Sequence, residues 1–338
     1  MAGIIFSKSS NVNNSVFGKS EAPIRAFLEQ GVTAAEKESL LGSVFKKVKS
    51  NKFAEKFTSL TSLAHGFQPV PEGGAYPRDE RQEGFSKVIE PTEWKDSFAI
   101  TKAMIEDSVV LDMTRIGATG FIQTYKYGLD TFAGAALTGA VKGDTFNYKG
   151  QLFDCTTADK KALFAMDHPS ATGNADVQSN KFAGDFSADM LGLISTAMQN
   201  ITDDNGATLA LAPDTIIIPN DFQLKKAVFA AIGSDKDPDT ANNGFNYLFG
   251  QWRVIVSPFL NGMIDKTTGD KPFMVMDSKF NQNYNGLIHV ERVPLSVHSW
   301  IDENTDNNVW NGRYRMGLGF NDWRSIAVGG VTGGTELD

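Results

Sequence analysis

The chain has a single cysteine, Cys155, in 338 residues. That excludes an intrachain disulfide and any cysteine-based zinc site built by one copy. No histidine or basic cluster stands near Cys155 to activate the thiol, so it is expected to be a small buried apolar residue. Histidine is scarce as well: His65, His168, His289 and His298 are scattered along the chain. No apolar run approaches the roughly 20 residues that span a bilayer, so no membrane partner is expected. The opening MAGIIF carries too short an apolar patch for a secretory signal. Motifs that carry chemistry are missing too: no Walker loop, no G-x-G-x-x-G after a strand, no G-x-S-x-G elbow and no H-E-x-x-H. The expectation is therefore no catalytic set, no metal site and no cofactor.

The nearest approaches to a site have simpler readings. His168, in Met166-Asp167-His168-Pro169, has a carboxylate beside it in sequence but reads first as a turn histidine bonding backbone. His289 and His298 lie in strand-like runs. The acidic loop Asp235-Lys236-Asp237-Pro238-Asp239 alternates carboxylates as a calcium loop does, but Thr240 replaces the turn glycine and Asn246 the bidentate glutamate. A net charge of -8 argues against gripping nucleic acid through the overall field. One local basic cluster remains, Lys46, Lys47, Lys49, Lys52 and Lys56 within FKKVKSNKFAEKF. It reads as an amphipathic arm, either a solvated helix face or a candidate DNA-facing or neighbour-facing surface.

What is present is an ordinary globular composition, 41% hydrophobic and 21% charged, on a chain longer than one core usually needs. The most informative stretch runs from Gly66 to Asp96. Pro69, Pro71, Gly73, Gly74 and Pro77 forbid a helix and mark turns, while Leu60 to Phe67 and Phe85 to Ile89 can be extended arms. Such an excursion without a core of its own usually means a binding loop. Paired as a hairpin, at about 3.3 Å per residue, it projects some 40 to 50 Å. A ribbon of that kind is not stable alone in water and wants another molecule to lie on.

The rest of the chain gives an order of parts. Residues 1 to 20 are polar, with no fold of their own expected. Two helix-like pieces follow, the second starting near Thr33, where T-A-A-E reads as a capping box. After the excursion come a strand-like WKDSFAITK and a helical segment from Met104 to Ala140, whose apolar residues recur at three- and four-residue steps. Its glycines, Gly117, Gly120, Gly128 and Gly134, each cost up to about 1 kcal/mol in a helix interior. Close approach to a neighbouring element, or a helix that bends between two states, would compensate. Beyond Lys142 the pattern is mixed: strand-like FNYKGQLFD and ALFAMDHPS, a helix from Asp185 to Asn200 capped by Asp185 or Ser187, the strand-helix unit Asp214-Thr215-Ile216-Ile217-Ile218-Pro219 with Asp221 to Ile232, then WRVIVSPFL, FMVMD and GLIHVERV. Leu295 to Val328 alternates around a turn at Asp302 to Asn308.

In this order the parts resemble a tailed-phage major capsid protein, and more narrowly the Mu-like major head subunit family with its Hong Kong 97 type of capsid fold. Besides the loop and the helix, the resemblance rests on Ser97-Phe98-Ala99-Ile100-Thr101-Lys102, Leu163-Phe164-Ala165-Met166-Asp167-His168-Pro169 and Leu211-Ala212-Pro213-Asp214-Thr215-Ile216-Ile217-Ile218-Pro219. Near the end Val256-Ser257-Pro258-Phe259-Leu260, Gly312-Arg313-Tyr314-Arg315 and Trp323-Arg324 fit as well. The resemblance implies an α+β fold: N-terminal arm and short helices over 1-57, extended loop over 58-100, peripheral domain over 101-184 with a spine helix over 104-140, axial domain over 185-294, and closing strands over 295-338. It implies a non-enzymatic virion protein that assembles with itself through hexamers and pentamers into an icosahedral shell enclosing double-stranded DNA, held by non-specific contact. Assembly would take place in the bacterial host cytoplasm, with a separate scaffolding protein, a portal and room for a decoration protein. A prokaryotic nanocompartment shell is the alternative within the same fold, and a cytosolic enzyme with an unrecognised site is the third reading. Arg78, Asp79, Glu80, Arg81, Glu83 and Lys87 are the expected inter-subunit loop contacts, Lys87 also being a candidate isopeptide donor without a named acceptor. Trp94 and Phe98 are the expected anchors of the loop root. Exposed ion pairs are worth under about 1 kcal/mol each, so the loop charges would set register more than affinity. Replacing Arg78 and Arg81 with Glu should impair assembly while leaving the subunit folded; normal shells seen by electron microscopy from that variant would remove the loop charges from the interface.

Overall fold

A computed structural model of the chain describes residues 5–6, 31–59, 69–76, 84–103, 110–173, 175–233 and 246–337, with the side chains of 5–6 and 110–118 outside that description. The chain divides into two units. One comprises Met1–Glu55, Ile89–Ala133 and His289–Leu318; the other comprises Lys56–Val88, Gly134–Ile288 and Gly319–Asp338. The mixed α and β content is the fold class expected from the sequence.

The first unit is a sheet with a helix laid on one face. Its strands are β1 (Ile5–Phe6), β2 (Lys46–Lys49), β5 (Thr92–Ile100), and most of β11 (Leu287–Ile301) and β12 (Asn308–Phe320). They run in the order β1-β11-β12-β5, with β2 also pairing with β11. Alternation decides what each face carries. On β5 and β12 the pairs Trp94↔Tyr314 and Phe98↔Trp310 share one face, while Lys95↔Arg313 and Ser97↔Asn311 share the other. The aromatic face meets the helix α3 (Val110–Lys142), with Trp94 5.0 Å from Phe132 and Phe98 5.6 Å from Phe121, ring centre to ring centre. Gly312 is required there, since a Cβ would stand 2.1 Å from the Phe121 ring. Two short helices precede β2: α1 over 31–38 and α2 (Leu40–Val44). Thr33 lies inside α1 rather than at its start, and the cap of this region is Ser39, whose side chain accepts from Gly42 N. Asp130 on α3 accepts from Leu40 N at 2.6 Å and fixes the first turn of α2.

The second unit is built on a sheet of order β13-β10-β8-β9. These strands are β8 (Thr215–Pro219), β9 (Arg253–Ser257), β10 (Phe273–Met276) and β13 (Ile326–Gly329). Ile216, Ile217, Ile218, Phe273, Met274 and Val275 are all fully buried, which is why these strands read as continuous apolar runs. Helix α4 (Ala188–Gln199) packs against β13 and against α5 (Phe222–Ile232). The caps are Ser187 and Asp221, each accepting a backbone N–H from the first turn. A third helix, α6 (Ser278–Tyr284), follows β10 and ends on Asn285 in the left-handed region. Strands β6 (Thr145–Tyr148) and β7 (Gln151–Asp154) form a hairpin whose turn residues Lys149 and Gly150 have φ of 50° and 85°, the mirror-image turn that matches strand twist.

Two expectations change. The run Ala162 to Ser170 is not a strand; it contributes isolated bridges, Thr156↔Ala162 and His168↔Gln178, because its side chains serve a buried polar cluster rather than a ladder. The lysine-rich arm is not a helix: β2 is drawn into the sheet by β11, and β3 (Glu55–Thr58) pairs with β4 (Ser86–Ile89). Local propensity there yields to tertiary pairing.

The glycines of α3 separate into two kinds. A Cβ at Gly134 would stand 2.6 Å from Phe259 O, and one at Gly139 2.4 Å from Phe146 Cβ, so close approach explains both. A Cβ at Gly120 would meet nothing within 4 Å among the described residues. Gly134→Ala should therefore destabilise the unassembled subunit by about 1–3 kcal/mol through overpacking. Gly120→Ala should leave stability unchanged or raise it by up to about 1 kcal/mol. Urea unfolding of the two variants checks the contrast, and equal effects would sink it.

Candidate assembly interface

The loop springs from the β3–β4 ribbon, which Ser59 N extends by donating to Phe85 O at 2.8 Å. The arm expected over Leu60 to Phe67 lies outside the described residues, as do Arg78, Asp79, Glu80, Arg81 and Glu83. Lys87, on β4, donates to Asp154 at 2.5 Å and to Thr156 Oγ1 at 2.7 Å. Its side chain is only 13% exposed, so the cation stiffens the root of the loop within its own chain. Thr156 N and the Lys87 cation together outweigh burial and hold the Asp154 carboxyl below its ordinary value.

Further out, residues 69–76 are all exposed. Gly74 N donates to Pro71 O at 2.9 Å across a turn whose third residue, Gly73, has φ of 78°. That is the left-handed position a type II turn reserves for glycine. A Cβ on Gly74 would stand 2.3 Å from Val70 Cγ1, so Val70 folds over the turn. The result is a small knuckle, and Tyr76 leaves it 96% exposed.

Trp94 and Phe98 lie where β5 meets α3 and β12. Trp94 stacks on Tyr314 at 6.2 Å and its Nε1 donates to Met316 O at 3.4 Å; Phe98 stacks on Trp310 at 6.1 Å. They fasten β5, the strand that follows the loop. The opposite face of this sheet is polar. It holds a groove of about 630 Å3 bounded by Lys95, Asp96, Ser97, Ser296, His298, Asn311, Gly312 and Arg313. Glu93 bridges its two cations, 3.2 Å from Lys95 and hydrogen-bonded to Arg313, and both hold its carboxyl below the usual value.

The family model described as phage capsid protein matches residues 84–329, most of the chain. The chain belongs to that phage capsid protein family. The family is structural rather than enzymatic, its members build a shell from many copies, and its place is the virion. No curated protein matches the sequence. Among solved structures, the capsid protein is similar to the capsid of an empty GTA particle, at 14% identity over 86% of this chain and 88% of that one, TM-score 0.48. It is similar to a chain of Microbacterium phage Oxtober96, at 12% identity over 86% and 90%, TM-score 0.49. A virus-like particle from Pyrococcus furiosus is similar at 8% identity over 93% and 99%, TM-score 0.47.

Within the capsid protein the basic cluster is dispersed. Lys47 pairs with Glu291 at 2.6 Å and Glu36 at 3.0 Å, and Glu36 in turn accepts from Tyr125 OH at 3.0 Å. Burial works against the Lys47 charge, but the two carboxylates outweigh it and raise its pKa. Lys52 pairs with Glu55, whereas Lys49 and Lys56 are exposed and Lys46 is half-buried. Alternation along β2 thus puts Lys46 and Lys47 on opposite faces, so no single lysine stripe forms.

The remaining polar clusters are structural. His168 is buried, with Nδ1 2.7 Å from Asp159, Nε2 3.2 Å from Asn180 Oδ1, and its ring 4.2 Å from Trp323. Its carboxylate is Asp159, not the sequence neighbour Asp167, which pairs with Lys161. Arg324 is buried between Asp204, at 2.9 Å, and Asp322, and these outweigh burial to keep it charged. Cys155 is fully buried, and burial pushes its thiol up to about 12. Among the described residues no group of three acidic, histidine or cysteine side chains could hold a metal, and no helix is long and apolar enough to cross a membrane. Sequence reasoning marked the turn of the knuckle through Pro71, Gly73 and Gly74 but missed the sheet groove. The alternation Glu93, Lys95, Ser97 was readable, but its partner Arg313 lies far along the chain.

His289, two residues before Glu291 on β11, is 6% exposed, and its Nε2 has no partner among the described residues. Burial first, then the Lys47 charge, lower its pKa to about 3. Between the unfolded value, near 6.5, and about 3, the unfolded chain binds a proton that the fold excludes. Stability is therefore full above pH 6.5 and falls on acidification by roughly 1 kcal/mol per pH unit from this group. His289→Leu should lessen the loss between pH 7 and pH 5 in the unassembled subunit by on the order of 2 kcal/mol. Urea titrations at both pH values check it, and an unchanged loss would assign the acid sensitivity elsewhere.

Proposed function

We propose that the protein is the major head subunit of a tailed phage or prophage, of the Mu-like kind and with a Hong Kong 97-type fold. It assembles through hexamers and pentamers around packaged double-stranded DNA. In this reading 58-100 is the extended loop, 104-140 the spine of a peripheral domain over 101-184, 185-294 the axial domain, and 295-338 the closing strands. Trp94 and Phe98 anchor the loop root, and Arg78, Asp79, Glu80, Arg81 and Glu83 meet the neighbouring subunit. Assembly takes place in the bacterial cytoplasm with a separate scaffolding protein and a portal, and DNA contact is non-specific and local given the net charge of -8.

The observation that carries the reading is the loop itself: a two-stranded ribbon bearing a fully exposed knuckle with an aromatic at its end. A two-stranded ribbon is marginal in water unless something packs against it. Large obligate interfaces, above about 2,000 Å2, supply what it lacks. Electron microscopy of the purified protein, with light scattering for mass, should show closed shells or rings of five and six. Shells carrying enzyme cargo instead of DNA would move the protein to the nanocompartments. A monomer that stays monomeric with its neighbouring gene products present would refute the shell role.

A further inference from the structure

Residues 31–50, comprising α1, α2 and β2, form one continuous strap of the first unit. Its apolar residues Val32, Leu41, Val44 and Phe45 are buried, and β2 covers an edge of β11, where Ser50 N donates to Glu291 O at 2.9 Å. The polar ties centre on Lys47, which reaches Glu291 of β11 at 2.6 Å and Glu36 of α1 at 3.0 Å. From α3, Tyr125 OH donates to Glu36 at 3.0 Å, Lys126 pairs with Glu38 at 2.8 Å, and Asp130 accepts from Leu40 N at 2.6 Å. His289 lies beside this knot, on the face of β11 that Glu291 shares two residues on. Its ring is buried, it feels the Lys47 charge, and its Nε2 has no partner among the described residues. A neutral ring is tolerated there. A protonated one brings a second cation beside the Lys47 ammonium and an N–H without an acceptor, both shut off from water.

We propose that residues 31–50 are an acid-sensitive strap: a proton taken up by His289 favours an open state in which the ring and Lys47 reach water and the β11 edge is bared, while the rest of the subunit keeps its fold. The other ties do not answer to acid in the same window. Burial holds the Asp130 carboxyl above its ordinary value, so proton uptake there favours the closed strap. Lys126 holds the Glu38 carboxyl below 4.5, so that pair is lost only in stronger acid. Against burial, its carboxylate partners hold the Lys47 value up, and burial together with Glu36 keeps Tyr125 neutral. His289 is therefore the group that responds. Open, the ring titrates near 6.5; closed, burial and then the Lys47 charge lower it to about 3. Linkage then raises the opening constant about 25-fold between pH 7 and pH 5. The buried apolar residues keep the open strap a minority, so the change is one of local opening rather than of global unfolding. A strand edge stripped of its cover offers unpaired backbone groups to any strand that approaches.

Hydrogen exchange read by mass spectrometry tests this on the full-length, unassembled subunit at pH 7, 6 and 5, after correction for the intrinsic pH dependence of exchange. Peptides within 31–50 should lose protection about 25-fold from pH 7 to pH 5, while peptides from β8, β10 and β13 change less than about threefold. His289→Gln and His289→Leu, each confirmed folded by circular dichroism, should flatten the response of 31–50 to less than about threefold. Three outcomes overturn the strap: protection of 31–50 that ignores pH in the wild type, a loss spread evenly over the whole chain, or a response that persists in the two variants. The shell role stands in each of these cases, since it is read from assembly and not from exchange.

Discussion

The aromatic seam between one sheet and one helix is the constraint on which the first unit depends. Trp94 and Phe98 reach it from β5, Trp310 and Tyr314 from β12, and Phe121, Tyr125 and Phe132 from α3. Aromatic residues bury large areas and hold preferred geometries, so a seam of seven fixes register as well as contributing stability. A slip of β5 by one residue would turn Trp94 and Phe98 outward and bring Lys95 and Ser97 against the helix. The polar groove therefore exists because the aromatic face is satisfied. One alternation creates both the aromatic core and the polar outer face.

Charge is divided between two duties. Ion pairs that are buried, such as Arg324 with Asp204 and Asp322, lock distant segments of one unit together. Arg324 Nε also donates to Thr202 O, and Asp204 Oδ1 accepts from Ala171 N, so one guanidinium and its partner carboxylate tie the turn near Asp204 to two other segments. Removing one partner from such a set leaves a buried charge uncompensated, which is far more costly than the pair's own net contribution. Exposed charges, on Glu72, Lys95 and Arg313, contribute little inside a free subunit.

Legibility in the sequence followed the range of the interactions. β8, with its run Ile216 to Ile218, the cap Ser187 as one of two candidates, the start of α5 at Asp221 to within one residue, and the turn between β11 and β12 were all readable, because local pattern and observed structure agree. The lysine arm was not: its residues carry a helix-like spacing, but pairing of β2 with β11 decides the outcome from more than two hundred positions away. His168 failed for the same reason. It read first as a turn histidine bonding backbone, with the sequence neighbour Asp167 as the other candidate partner, whereas the fold brings the side chains of Asp159 and Asn180 to the ring. The outward face of β5 was half legible, since alternation was visible and the opposing strand was not.

The loop turns these points into function. A segment with no core of its own depends on short-range devices, and two are present: the Lys87 cation against Asp154 and Thr156 at the root, and the glycine turn at the knuckle. Fixing a residue costs about 1–2 kcal/mol of conformational entropy, and the residues held by these devices have met that cost before any partner arrives. Order at the root and the knuckle therefore lowers the conformational cost of any contact that these residues make.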